Sequence, residues 1–219
     1  MGSKSENNPN KIKSKNSFFN GLKKFWNFVW NGESFLSWIV FVLLAFIIIK
    51  FIFFPALTLA TGTSLPLVIV ESCSMYHDNS NFNQWWTENG KWYEDRNISK
   101  EQFEKYNLKN GFAKGDIFLV TGFKEDNIKI GDTIIFSSGN AQRPIIHRVV
   151  SLNPIETKGD NNDRQFTRNN NGERIDETNI SQDKIIGKTS VIRIPFLGWA
   201  KLIFFEPFRA KSERGLCKG

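Results

Sequence analysis

Apolar residues fall along this chain in runs of very unequal length, and each length predicts a different element. The longest run, Phe35–Leu59, is relieved only by Ser37, Trp38, Lys50 and Thr58. Such a length suffices to cross about 30 Å of hydrocarbon, so one transmembrane helix is predicted over 35–59. Pro55 is expected to end or kink it, and Lys50 to snorkel toward the outer interface. Ahead of it, SFFNGLKKFWNFVW (Ser17–Trp30) sets aromatics around Lys23 and Lys24. That pattern predicts either an interfacial amphipathic helix or a plain juxtamembrane extension of the next helix. Residues 1–16 are Asn- and Lys-rich and predict disorder.

Beyond the long run the apolar stretches are short. Leu65–Val70, Asp116–Thr121 (DIFLVT), Asp132–Phe136 (DTIIF), Ile145–Asn153 (IIHRVVSLN) and Ile185–Ile194 (IIGKTSVIRI) read as strands separated by Gly, Asp and Asn turns. Short, evenly punctuated strands indicate an all-β barrel or sandwich and argue against βαβ units. Between the first two strands lies an aromatic insertion, 81–112, with Trp85, Trp86, Trp92, Tyr93, Phe103 and Tyr106 among charges. ISKEQFEKY within it predicts a helix, with Ser99 and Gln102 spaced as a capping box. Two placements stand for this insertion: over the body near a membrane surface, or packed into the core. Asn161–Gln182 is expected to be a long polar loop. Ile194–Phe208 is too short to span a membrane and reads as an interfacial or core segment. The predicted organisation is therefore a basic segment 1–34, a transmembrane helix 35–59, a mainly β domain 60–208 with its helical insertion, and a tail 209–219.

Charge decides which side of a membrane this domain occupies. The net formal charge is +7, a value that would also suit nucleic acid. From Thr63 to Lys188, however, 16 Lys and Arg meet 18 Asp and Glu, so the body is slightly acidic and the excess sits on the flanks. That distribution argues against a nucleic-acid partner and for the lipid bilayer. Six lysines and one glutamate precede Glu33, so the N-terminus is expected in the cytoplasm and the body outside. A cleavable leader fits poorly, because the apolar run starts late, is long, and has no small-residue cleavage site nearby. Two cysteines, Cys73 and Cys217, are too few for a disulfide framework, and nothing in the sequence supports pairing them. With two histidines and neither CxxC nor HExxH, no metal or cofactor is predicted. Asn97-Ile98-Ser99 and Asn179-Ile180-Ser181 are glycosylation sequons on the outer side.

Candidate chemistry lies in three places. Leu65–Val70 breaks into Glu71-Ser72-Cys73-Ser74-Met75, which offers Ser74 as a nucleophile or as an ordinary turn residue. His147 sits on one strand face with Ile145 and Val149, as a base or as a structural histidine. Lys158-Gly159-Asp160-Asn161-Asn162-Asp163 is a Gly-Asp turn with two carboxylates. Together they supply a nucleophile, a base and an orienting acid; spacing alone does not decide for that reading.

The order of these segments resembles the type I signal peptidase family, in its archaeal and endoplasmic-reticulum branch. Glu71-Ser72-Cys73-Ser74-Met75 resembles the S-x-S-M box, with Cys73 where many members carry Gly. Gly131–Phe136 resembles its G-D-x-[IV]-x-F strand. His147-Arg148-Val149-Val150 resembles the box in which this branch has His and bacterial enzymes have Lys, and Lys158–Asn162 the K-G-D-N-N box. Ile185–Lys188 and Ile194–Trp199 resemble the closing strand and C-terminal segment. The resemblance covers about residues 35–205.

It implies a membrane-anchored β domain of the signal peptidase type, acting as a serine endopeptidase that cuts signal peptides from exported preproteins after small residues. Ser74 would be the nucleophile, His147 the general base and Asp160 its support. The Ser74 N–H and the Ser72 hydroxyl would form the oxyanion hole, and Met75 would line the cleft. The branch carries a second aspartate about six residues after Gly-Asp, where this chain has Phe166. Asp163 and Asp176 are the two alternatives for it. His77 is expected to be cleft-lining or inert. The resemblance further implies a cell or ER membrane location and contact with the secretion translocon. A catalytically silent binding module, or a tethered serine peptidase for other surface proteins, would suit the same anchor and fold.

Overall fold

The computed structural model describes residues 9–78, 81–124, 127–137, 143–167 and 176–218. The chain divides after Ala56 into a helical N-terminal unit and a larger second unit.

In the first unit, α1 (Pro9–Asn31) is followed by α2 (Phe35–Ile48) after a three-residue break. Helix replaces the predicted disorder over residues 9–16. Pro9 starts it at a position where its missing N–H costs nothing, and no second proline or glycine interrupts before Gly21. Ser34 caps α2 by accepting from the Ser37 N–H at 3.1 Å. Gly32 is required at the break, because a Cβ there would meet the Phe28 carbonyl oxygen at 2.3 Å.

The apolar helix runs without interruption from Phe35 to Thr61, 27 residues. Pro55 does not end it. A wide π-type turn, Ile49–Phe53, precedes the proline, and α3 (Phe54–Thr61) continues beyond. Proline lacks an N–H and crowds the carbonyl one turn back; a widened turn at that point absorbs both defects.

The second unit is built on six antiparallel strands in the order β1-β2-β6-β3-β4-β5. These are β1 (Leu67–Ile69), β2 (Ile117–Thr121), β3 (Thr133–Phe136), β4 (Ile145–Leu152), β5 (Ile155–Lys158) and β6 (Ile185–Ile194). The long β6 joins the halves by pairing with both β2 and β3. β5 was not expected as a strand: its sequence, IETK, is too short and polar to announce itself. It forms because the turn after β4 folds it back, with Arg148 opposite Lys158 and Val149 opposite Thr157.

Strand alternation assigns the two faces. On β4, Val149 packs with Ile134, Phe136 and Ile185 in one core. Ile146 packs with Val68, Phe118 and Ile135 in another. Val150, two residues beyond Arg148 on that same face, meets the aromatic insertion. The insertion is helical, as α4 (Phe82–Glu94) and α5 (Lys100–Phe103), and the Ser99–Gln102 capping box forms. It packs as core: Trp85, Tyr93 and Phe103 are buried against one another and Val150. Burial of that many rings outweighs any interfacial placement. Part of the predicted polar loop, 168–175, lies outside the described residues. After β6, α6 (Trp199–Phe205) buries Leu202 and donates from Trp199 Nε1 to the Lys114 carbonyl at 3.0 Å, while Ile203, Phe204 and Phe208 are exposed.

Phe103 lies within 6 Å of Phe82, Trp85, Trp86, Tyr93 and Tyr106, ring centroid to centroid. Phe103→Ala is therefore expected to destabilise the second unit by about 3–5 kcal/mol, measured by denaturant unfolding in detergent. A loss below about 1 kcal/mol would mean that the aromatic cluster does not hold the insertion in place.

Candidate active site

Alternation along β4 sends consecutive side chains to opposite faces of the sheet, and the site is built from that split. His147 takes the face of Val149, and Arg148 takes the face of the aromatic insertion.

On the first face, His147 Nε2 lies 2.9 Å from Ser74 Oγ, and His147 Nδ1 lies 2.5 Å from Glu177 Oε1. Glu177 is fully buried. Its Oε1 also accepts from Thr157 Oγ1 at 3.0 Å, and its Oε2 accepts from the Phe166 N–H at 2.8 Å. Facing donors on both oxygens, the carboxylate acts as acceptor, so Nδ1 of His147 carries the proton and Nε2 presents its lone pair to Ser74. The Phe166 ring lies nearly parallel to the imidazole, 6.2 Å away.

Ser74 reaches the histidine because its turn is tied to the residues after β5. The Asn161 N–H donates to the Ser74 carbonyl at 2.7 Å, and Asn161 Nδ2 donates to the Cys73 carbonyl at 3.2 Å. Gly159 makes this approach feasible. A Cβ there would stand 2.8 Å from His147 Nε2 and 2.9 Å from the Ser74 carbonyl oxygen. Ser72 Oγ lies 3.1 Å from Ser74 Oγ.

On the opposite face, Asp160 is also fully buried, but it does not touch His147. It accepts from Arg148 Nε and Nη2, from the Tyr93 hydroxyl and from His77 Nε2, all at 2.6–2.9 Å at their shortest. Burial alone would raise the Asp160 carboxyl. The Arg148 guanidinium and the His77 bond outweigh it and hold the carboxyl well below the usual carboxylate range. Burial, with the Asp160 charge beside it, raises the Tyr93 hydroxyl well above its ordinary value. His77 is a buried structural histidine, stacked on Trp85 at 3.8 Å, and not a cleft residue.

The expected carboxylates thus part company with the histidine. Asp160 lies behind the turn that carries Ser74, Asp163 is exposed, and Asp176 accepts from Thr178 N and Oγ1 in a local turn. That turn directs the next residue, Glu177, inward, where its backbone bridges Thr157 and Phe166. The only sequence signal for Glu177 was its adjacency to Asp176. Met75 does not line the cleft. It is 1 % exposed, packs in the core, and its sulfur accepts from the Asp160 N–H, so it lies beneath the cleft.

The cleft has a volume of about 1130 Å³ and is lined by Ser72, Ser74, His147 and the aliphatic β1 and β4 positions Leu67, Ile69, Ile145 and Ile146. β1 is a sheet edge, and β5 stops pairing with β4 at Arg148, leaving one side of Ile145–His147 outside the ladder. Cys73 and Cys217 are joined in a disulfide, a pairing that sequence separation had concealed. Among the described residues, no group of three His, Cys, Asp or Glu side chains is arranged to hold a metal ion.

A serine, a histidine and a buried carboxylate linked in series have the geometry that serine-nucleophile hydrolases use on several unrelated folds. No family model matches the chain. Over 63 residues, 26% of this chain, it is 33% identical to the signal peptidase complex catalytic subunit SEC11C of Homo sapiens. The Mus musculus and Canis lupus familiaris subunits give the same identity and coverage. The match spans a third of the length of these relatives.

Lys158 supplies a pH test of this packing. Burial among the aromatic rings lowers its ammonium from the ordinary 10.5 to about 8. Between those values the unfolded chain binds more protons than the folded one, so stability is expected to rise with pH from about 8 to 10.5. Unfolding curves across that window should show the rise in the parent and a flatter profile in Lys158→Met; equal profiles would refute the assignment.

Proposed function

We propose that the chain is a membrane-tethered serine endopeptidase that removes signal peptides from preproteins, cutting after small residues. The observation that carries this reading is the series Ser74–His147–Glu177, whose serine and histidine line a cleft while the glutamate is buried behind them. Similarity to signal peptidase catalytic subunits, the apolar helix Phe35–Thr61 and the order of boxes around Ser74, His147 and Asp160 support it.

In this reading Ser74 Oγ attacks the scissile carbonyl while His147 Nε2 takes its proton. Glu177 holds the ring in the Nδ1–H tautomer and stabilises the imidazolium that forms. The same imidazolium then protonates the leaving amine, and water hydrolyses the acyl-enzyme by the reverse route. The Ser74 backbone N–H and the Ser72 hydroxyl would stabilise the oxyanion, a type of donor worth about 10²–10³ in rate. Substrate would lie extended along the open edge of β1, its main chain hydrogen-bonded there. Asp160 is a positioning residue. Through Arg148, Tyr93 and His77 it fixes the backbone from which Asn161 holds Ser74.

We assign the body to the non-cytoplasmic side of a cell or ER membrane, where preproteins emerge from the translocon. The basic N-terminal flank supports that side, as does a disulfide beside the nucleophile, because disulfides persist in oxidising compartments.

Purified protein in detergent, given a preprotein, is expected to lose about 10⁴-fold or more in kcat/KM on Ser74→Ala or His147→Ala. Cleavage by both variants at the parent rate would refute the mechanism. Glu177→Gln keeps the size but removes the charge, and is expected to lower kcat on the order of 10⁴-fold with little change in KM. If Asp160→Asn instead causes the larger kcat loss in folded protein, the supporting carboxylate has been misassigned. The parent kcat/KM is expected to fall on the acid side where an imidazole takes up a proton; a limb found only above about pH 8 would indicate a lysine base.

A further inference from the structure

The segment Arg209–Lys218 supplies nothing to the Ser74–His147–Glu177 series, yet it is held firmly against the nucleophile turn. Cys217 is bonded to Cys73, the residue next to Ser74, across a separation of 144 residues. Arg209 Nη2 pairs with Glu71 Oε2 at 2.6 Å, and Arg209 Nη1 donates to the Glu71 carbonyl at 3.0 Å. Lys114, 1 % exposed, donates from Nζ to the Glu213 carbonyl at 2.6 Å, and its N–H points at Cys217 Sγ. The segment has no strand partner among the described residues and only one 3₁₀ turn, Lys211–Glu213. Its position rests on these ties, on the Gly215 N–H bond to Glu206 Oε2 at 2.6 Å, on the Arg214 Nη2 bond to the Pro207 carbonyl at 2.7 Å, and on the cross-link.

Lys211, Ser212, Arg214, Leu216 and Lys218 line the same cleft as Ser72, Ser74 and His147. Across from them stand the aliphatic residues of β1 and the start of β4. Ser72 is exposed and Ser74 half-buried, so the segment stands beside the nucleophile and does not cover it. A wall at that place would limit how large a substrate side chain can enter.

We propose that Arg209–Lys218 is the specificity-determining wall of the cleft, set in place by the Cys73–Cys217 disulfide, and that a dithiol reductant widens the cleft by releasing it. This rests on the reading of Ser74 as the nucleophile. In the release step the dithiol gives two electrons and two protons, the Cys73–Cys217 bond breaks to two thiols, and the dithiol leaves as its own disulfide.

The test compares two peptides, with Ala or Leu before the scissile bond, on full-length protein in detergent. Oxidised parent, parent with dithiothreitol, and Cys217→Ser are assayed side by side. Reduction and Cys217→Ser are each expected to lower the Ala-over-Leu ratio of kcat/KM about tenfold, the scale on which pockets discriminate one methylene. Reductant should have no further effect on Cys217→Ser. An unchanged ratio on reduction overturns the proposal, as does an equal response of Cys217→Ser to reductant. A kcat loss shared equally by both peptides overturns it too, since the cross-link would then serve the nucleophile turn alone. If no form cuts either peptide, the peptidase reading has failed by itself, and limited trypsin digestion decides about the wall. Faster cleavage after Lys211 and Arg214 on reduction upholds a releasable segment; an unchanged pattern overturns it.

Discussion

The buried ion pair of Arg148 and Asp160 is the contact on which the second unit depends. Both side chains are fully buried, and burying two charges costs several kcal/mol unless their hydrogen bonds are complete. Here they are. Arg148 donates from Nε and Nη2 to Asp160, from Nη1 to the Asn107 and Gly131 carbonyls, and from Nη2 to the Leu108 carbonyl. Its guanidinium also lies 4.7 Å from the centre of the Phe103 ring. One residue thereby joins the insertion, the loop at Gly131 and the turn that follows β5. The acidic partner passes the constraint on, through the Asp160 N–H to Met75 and the adjoining Asn161 N–H to Ser74.

Because Arg148 and His147 are neighbours on one strand, scaffold and candidate chemistry lie back to back. Each face has its own buried carboxylate. Asp160 is saturated by a guanidinium, an imidazole and a phenol, which makes it a poor partner for a second histidine on the far side of the sheet. Besides His147, the Glu177 carboxylate accepts from the Thr157 hydroxyl and the Phe166 N–H. The division explains how a Gly-Asp turn can sit beside the site without supplying the carboxylate behind His147.

Two long-range links frame this arrangement. The apolar helix Phe35–Thr61 is followed after a few residues by β1 and the turn that carries Ser74, so little chain separates a helix long enough to span a membrane from Ser74. The disulfide reaches back from residue 217 to the same turn. A cross-link closing a loop of this size restricts the unfolded chain strongly, in the entropic account by about 5 kcal/mol. The turn that carries Ser74 is thus held from the residues after β5, from the segment around Arg209 and from its own strand.

Local sequence determined what local physics controls. A run of apolar residues too long for any strand marked the helix, despite Pro55. Period-two alternation placed His147 on the face of Val149, and Gly-punctuated short runs marked five of six strands. Which carboxylate stands behind His147 was a different kind of question. Asp160, Asp163, Asp176 and Glu177 are alike in chemistry, and the choice among them depends on strand register and on a turn at Asp176 that aims the following side chain inward. The burial of Met75 and His77, the collapse of the tryptophans into core, and the Cys73–Cys217 bond likewise join groups far apart in the chain. Their encounter is decided by sheet order and loop closure, which no window of neighbouring residues encodes.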